Sequence, residues 1–236
     1  MFLYSLLEVS EKTTNVVRYI SIGAVLVLIG VIVLISALKS KRLDAKKMAF
    51  AGVCVAMSFI LSFIKIKPVQ YGGSITLASL VPILLYAYVY GFADGLLVGL
   101  IHGLLNFIES PYILTPATFV LDYLLAFTGV CFMGLFGKWQ RKKNSVTPLL
   151  LGCACAFATR FIFHLSSGMI FFLQNAVWVD FPAWVTANAF VYSFIYQCVY
   201  IPADCIIAML SLLAIAKSGA LDTLLKSIKP KTTHNK

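Results

Sequence analysis

The chain has 236 residues, of which 61% are hydrophobic and 12% charged, with a formal net charge of +10 and a mean hydropathy of +0.93. A soluble domain carries about twice that share of charge, so a soluble fold is excluded and the bilayer must act as the solvent. The positive charge does not mark a nucleic-acid binder, because it falls in three clusters that flank apolar runs: Lys39, Lys41, Arg42, Lys46 and Lys47; Lys138, Arg141, Lys142 and Lys143; Lys217, Lys226, Lys229, Lys231 and Lys236. That placement is the footprint of the positive-inside rule.

In chain order, the first predicted element is a helix over about 17–38, within the uncharged run Tyr19 to Leu38. It is too long for a signal-peptide core, and Glu8 and Glu11 precede it where a basic leader would stand, so it reads as a retained anchor. The basic stretch Lys39–Lys47 then links it to a module at 46–216. Helices are expected there at about 46–64, 75–90, 92–108, 117–137, 148–172 and 184–215. Roughly twenty apolar residues span the hydrocarbon, and a spanning backbone must satisfy its own hydrogen bonds, which selects helices. Barrel strands would be shorter and alternating.

The expected fold class is therefore all-α: a polytopic membrane protein with a six-helix module and one extra N-terminal transmembrane helix. Its parts are 1–45 (helix and basic linker), 46–216 (membrane module) and 217–236 (basic cytoplasmic tail). With 39–47 inside, the segments near 91–94, 138–147 and after 216 are cytoplasmic, and 65–74, 109–116 and 173–183 lie outside. The N-terminus is then outside and the C-terminus inside. Lys65 and Lys67 fall on the outer side, against the trend. No internal repeat is evident.

Cys54, Cys131, Cys153, Cys155, Cys198 and Cys205 all lie in apolar segments with no C-x-x-C spacing. They read as buried hydrophobic residues, neither disulfides nor metal ligands. Tyr4, Tyr71, Tyr86, Tyr88 and Tyr90 read as interfacial or packing residues.

Charges inside spans are costly and face a cavity or a partner, which singles out Asp122, Arg160, His164 and Asp204. His102, Asn106, Asn188, Tyr192, Tyr196 and Gln197 form a weaker set. Asp122 is expected roughly 8 Å from the outer end of its helix, His164 roughly 12 Å, and Tyr192 about as deep. Depth alone leaves two readings open, an outward-facing pocket or scattered interhelical hydrogen bonds. Arg160 and His164 are four apart and share a helix face, which Gly168 continues, with Phe171 and Phe172 at the rim. Asn188, Tyr192 and Tyr196 form a second stripe; Gln197 lies about 140° around the helix from Tyr192.

Gly52 and Ala56 are a small pair that permits close helix approach, and spacing by itself favours packing within the module. No Ser-His-Asp signature, H-E-x-x-H or nucleotide loop is present. No enzyme, cofactor or metal is expected, and any ATP-driven transport needs a partner.

Five segments together resemble a known family. They are Tyr71-Gly72-Gly73-Ser74-Ile75-Thr76-Leu77 followed by Leu80-Val81-Pro82-Ile83; Ser110-Pro111-Tyr112-Ile113-Leu114; Phe119-Val120-Leu121-Asp122-Tyr123; Arg160-Phe161-Ile162-Phe163-His164 with Gly168; and Tyr192-Ser193 with Gln197. In order and spacing the chain, over about 46–216, is similar to thiamine-specific substrate-binding (S) components of energy-coupling factor transporters. The resemblance implies a six-helix module with a site near the outer face, covered by the loop at about 65–74. It implies that Tyr112, Asp122, Tyr123, Arg160, His164, Gly168, Phe172, Tyr192 and Gln197 bind substrate. It also implies that the surface at Gly52 and Ala56 docks a transmembrane coupling protein joined to two cytoplasmic ATPases.

The chain departs from the family pattern where Asp122 replaces Glu, Phe172 replaces Trp and Gln197 replaces Asn. These changes keep the chemistry and alter its reach. Thiamine, with a cationic thiazolium and a flat aminopyrimidine, suits a carboxylate at Asp122 and aromatic faces at Tyr123, Phe172 and Tyr192. His164 is expected to be neutral beside the cation. The expected function is thus the thiamine-binding subunit of a vitamin importer in a bacterial cytoplasmic membrane. The alternatives are the same importer class for hydroxymethyl pyrimidine or another vitamin, an ATPase-independent secondary transporter, and an intramembrane enzyme.

Overall fold

The computed structural model describes residues 27–34, 38, 44–69, 72–143, 145–173 and 181–228. Of the expected N-terminal helix, 27–34 is helical; its first part, Tyr71 and the tail beyond 228 lie outside the described residues. The helix α1 covers Ala45–Ser62, followed by a hairpin of β1, Lys65–Pro68, and β2, Ser74–Thr76. Next come α2, Val81–Tyr90, and α3, Phe92–Glu109. The irregular helix α4 runs over 116–143, then α5 over Thr147–Leu173, α6 over Ala189–Lys217 and a short α7 over Ala220–Ile228.

Among the described residues, five helical spans are long and apolar enough to cross a membrane. The exception is α2, which at ten residues rises only about 15 Å. The helix expected to begin at 75 in fact begins at Val81. Gly72 adopts a positive φ of 91° that closes the hairpin turn, and the β-branched residues Ile75 and Thr76 pair with β1. Pro82 then sits at the start of α2, where its missing N–H costs nothing. The last long helix begins at Ala189 rather than about 184, because the Asn188 side chain caps it by accepting from the N–H groups of Phe190 and Val191.

The irregularity of α4 matters for the site. Residues Val120–Leu125 form a π-helical turn and Gly129–Phe132 a 3-10 turn. Against them, α3 lays a stripe of Gly95, Gly99 and Gly103, where added Cβ atoms would collide with backbone atoms of Cys131, Phe127 and Tyr123 respectively. The two helices are therefore in backbone contact.

The core holds Ile83, Leu84, Tyr88, Leu149, Cys153 and Leu212, all essentially fully buried. Tyr86 and Tyr88 are packing residues. All six cysteines are free, and Cys198 is exposed on the outer surface of α6 rather than buried. Lys47, grouped above with the anchoring charges, is instead buried in an ion pair with Asp94 at 2.6 Å. The segment 27–34 packs outside this core, with Ile32 against Leu100 of α3 and Leu124 of α4. Part of the expected tail is helix α7, whose Leu221 joins the core.

Candidate functional site

The helices run alternately up and down, so the hairpin and the segments 110–115 and 181–188 share one end of the bundle. A cavity opens there between α3, α4, α5 and α6, with hairpin residues Gly72, Gly73, Ser74 and Thr76 along one side. About 860 Å³ of space free of atoms lies within it, the open solvent at its mouth included.

The π turn of α4 delivers Asp122 and Tyr123 to this cavity. Both oxygens of Asp122 are engaged: Oδ1 lies 2.7 Å from His164 Nδ1, and Oδ2 accepts from Ser167 Oγ at 2.6 Å. Arg160 Nε donates to His164 Nε2 at 3.3 Å. A guanidinium can only donate, so Nε2 accepts and the imidazole proton sits on Nδ1, facing the carboxylate. The other arm of Arg160 donates from Nη1 to Asp204 Oδ2 at 3.0 Å, and its charge lies 5.1 Å from the centre of the Phe127 ring.

The wall from α6 is a stripe at spacing four. Tyr192 and Tyr196 stack at 6.1 Å, Tyr196 meets Tyr200 edge-on at 5.8 Å, and Asp204 lies one turn below. Gln197 shares the lining because it is tied into it: Nε2 donates to the His164 carbonyl and Oε1 accepts from Tyr200 Oη. Gly168 permits this closeness, since a Cβ there would strike Ser193 Oγ. Tyr123 Oη donates to the Ser110 carbonyl at 2.6 Å and accepts from the Tyr112 N–H at 2.9 Å, which pins the segment 110–112 over the cavity. Tyr112 stacks on Phe171 at 5.3 Å and 15°. Glu109 completes the opposite wall, paired with Lys65 of β1 at 2.6 Å.

Of the nine candidate substrate-binding residues, eight line this cavity: Tyr112, Asp122, Tyr123, Arg160, His164, Gly168, Tyr192 and Gln197. Phe172 is not among the lining residues; it packs against Tyr192 from outside, ring centres 5.7 Å apart, and Phe171 takes the rim position. Neighbours on a helix point about 100° apart, so only one of the pair can face inward. Gly52 and Ala56 lie on the exposed side of α1, where an added Cβ on Gly52 meets nothing within 4 Å. Spacing favoured packing within the module; the geometry instead leaves that face outside it.

Sequence reasoning overlooked Glu109, Phe127, Ser167 and Tyr200 as lining residues. Tyr200 continues the spacing of Tyr192 and Tyr196, and Ser167 and Phe127 sit three and four residues beyond His164 and Tyr123, so the helical period pointed to them. Glu109 carried no such signal. Among the described residues, no cluster of His, Cys, Asp or Glu is arranged to hold a metal.

The comparisons agree with this architecture. A family model described as Thiamine transporter protein (Thia_YuaJ) matches residues 48–222. The thiamine transporter ThiT of Bacillus subtilis (strain 168) is 28% identical over 153 residues, covering 60% of this chain and 73% of that protein. A solved structure of ThiT from Listeria monocytogenes superposes with a TM-score of 0.63 at 21% identity, over 74% of this chain and 94% of that one.

Proposed function

Because the chain belongs to the thiamine transporter protein family, making it a multi-pass membrane transporter and not an enzyme, we propose that it is the substrate-binding subunit of an energy-coupling factor importer. It binds thiamine in the cavity at the hairpin end, which faces outward. The observation that carries this reading is the charge balance of the cavity. Glu109 is paired with Lys65 and Arg160 with Asp204, while His164 is neutral. Asp122 is left with hydrogen bonds only from neutral donors. The pocket therefore holds one uncancelled negative charge surrounded by aromatic faces, which is the complement of a flat monocation.

In this reading the thiazolium lies near Asp122 and the rings of Tyr192 and Tyr196. The aminopyrimidine uses the polar edges of Gln197, Asn106 and Ser110. The hairpin covers the occupied site. In this reading the C-terminus is cytoplasmic, which the positive-inside rule supports, since the basic clusters of the sequence flank the spans away from the hairpin.

The exposed apolar face of α1, with Gly52 and Ala56 at its flat centre and Val53, Met57 and Ile60 around them, supports docking of a transmembrane coupling protein that carries two cytoplasmic ATPases. Titration calorimetry of the detergent-purified chain with thiamine, with hydroxymethyl pyrimidine as comparator, tests the substrate. One tight thiamine site is expected. Binding of the comparator alone would move the substrate to a precursor, and binding of neither would remove the reading. Copurification from membranes tests the ATPase partnership, and a chain that imports thiamine without recovering any ATPase would be a secondary transporter.

A further inference from the structure

Asp204 lies one helical turn below the last tyrosine of the α6 stripe and is almost fully buried. A buried carboxylate is retained only where partners satisfy it, and this one has three contacts. Oδ2 takes the Arg160 guanidinium at 3.0 Å. Oδ1 accepts from the Thr76 backbone N–H at 2.9 Å and from Thr76 Oγ1 at 3.0 Å. Thr76 ends β2, and its hydroxyl also meets Ser79 Oγ at 2.7 Å. Asp204 therefore joins the helix that carries Arg160 to the base of the hairpin that closes the cavity.

We propose that Asp204 is the residue that sets the charge of the site: it neutralises Arg160 and aims its Nε–H at His164, so that the pocket accepts a cation. The inference rests on the reading of the cavity as a cation site. Arg160 is the positive group in the lining, on the same helix face as His164 and near Asp122. Left unpaired, it would oppose any cationic ligand directly. It would also be free to swing onto Asp122 and cancel the charge the ligand needs. With Asp204 in place, one arm of the guanidinium is held below the pocket. The remaining Nε–H fixes the His164 tautomer that presents its proton to Asp122. Asp204 is a positioning residue in this scheme, acting through Arg160. The two bonds from Thr76 add that the setting is complete only when β2 is seated over the cavity.

The test is a charge cycle read by thiamine titration of the purified full chain. Asp204→Asn keeps the shape and an acceptor oxygen for Thr76 while leaving Arg160 unpaired; thiamine affinity is expected to fall on the order of ten- to a hundredfold, the scale of one uncompensated nearby charge. The double variant Asp204→Asn with Arg160→Met removes both charges and, with them, the Nε–H held on His164; it is expected to bind thiamine at least about fivefold more tightly than Asp204→Asn alone without regaining the full affinity, since a buried pair replaced as a unit is often tolerated. A purely structural role for Asp204 would leave the double variant as impaired as the single one, and that result would overturn the proposal. So would an unchanged affinity in Asp204→Asn. If the single variant fails to fold, the double variant decides alone: thiamine binding within about tenfold of the unmodified chain supports charge setting, and a folded double variant with no measurable thiamine binding refutes it. If the unmodified, folded chain does not bind thiamine at all, the cation-site reading itself has failed, a result separate from either of these.

Discussion

Asp122 is held by His164 Nδ1 and the hydroxyl of Ser167, and in the proposed reading its carboxylate is the counter-charge of the bound cation. Removing one member of a buried charge pair costs roughly 2–5 kcal/mol of binding. Asp122→Ala is therefore expected to weaken thiamine binding by at least about thirtyfold by calorimetry, with the melting temperature little changed; equal affinity would remove Asp122 as the counter-charge. Gly168 is a packing constraint of the same site. A methyl group there meets Ser193 Oγ and lies 3.2 Å from Gln197 Nε2, and Ser193 is itself held on the Leu165 carbonyl, so neither neighbour yields freely. Gly168→Ala is expected to lower thermal stability by about 1–3 kcal/mol, the usual cost of overpacking, and to displace Gln197. Thermal melting checks the first effect and loss of thiamine affinity the second.

Among the elements, the π turn over Val120–Leu125 decides how α4 meets the cavity. Such turns insert one residue into an α-helix and often mark functional sites. Deleting Leu125 would restore regular α-helical pairing and rotate Asp122 and Tyr123 by about 100° relative to the following helix. The expected product is a folded protein that does not bind thiamine and whose segment 110–112, no longer held by Tyr123 Oη, is more open to proteolysis. Retained binding would show that the turn is incidental. The hairpin is the other element with a role at the site. Its two anchors, Lys65 on Glu109 and Thr76 on Asp204, face each other across the open end of the strand pair, one on each strand, and Gly73 lets the backbone reach the rings of Tyr196 and Tyr200, which a side chain would strike at about 3 Å.

At the scale of the whole molecule, the faces of the module divide the work. The cavity occupies the hairpin end. The segment 27–34 covers α3 and α4, and the α1 face with Gly52 and Ala56 is left open by the described residues. The described segment 27–34 therefore packs away from the face assigned to coupling. Gly52→Leu is expected to abolish thiamine uptake by cells while leaving thiamine affinity of the purified chain within about twofold, because the substitution meets no neighbour inside the module. Normal uptake by that variant would remove this face from coupling.

The sequence by itself determined the membrane setting, the helical class and most of the cavity wall. These depend on composition and on the 3.6-residue period, which are local and survive without coordinates. Asp122, Arg160 and His164 were legible because a charge inside an apolar span needs a reason, and Tyr192 and Gln197 because the order and spacing of several motifs resemble one family. Tertiary structure alone decided who partners whom. It put Phe171 rather than Phe172 on the rim, brought Glu109 into the wall, buried Lys47 on Asp94 and gave Arg160 to Asp204 across 44 residues of chain. It also supplied the π turn and showed that the segment expected as a loop at about 65–74 is a hairpin that continues through Thr76. Whether a buried polar group faces a ligand or a neighbour depends on where other helices place their own polar atoms, and no single segment of the chain carries that information.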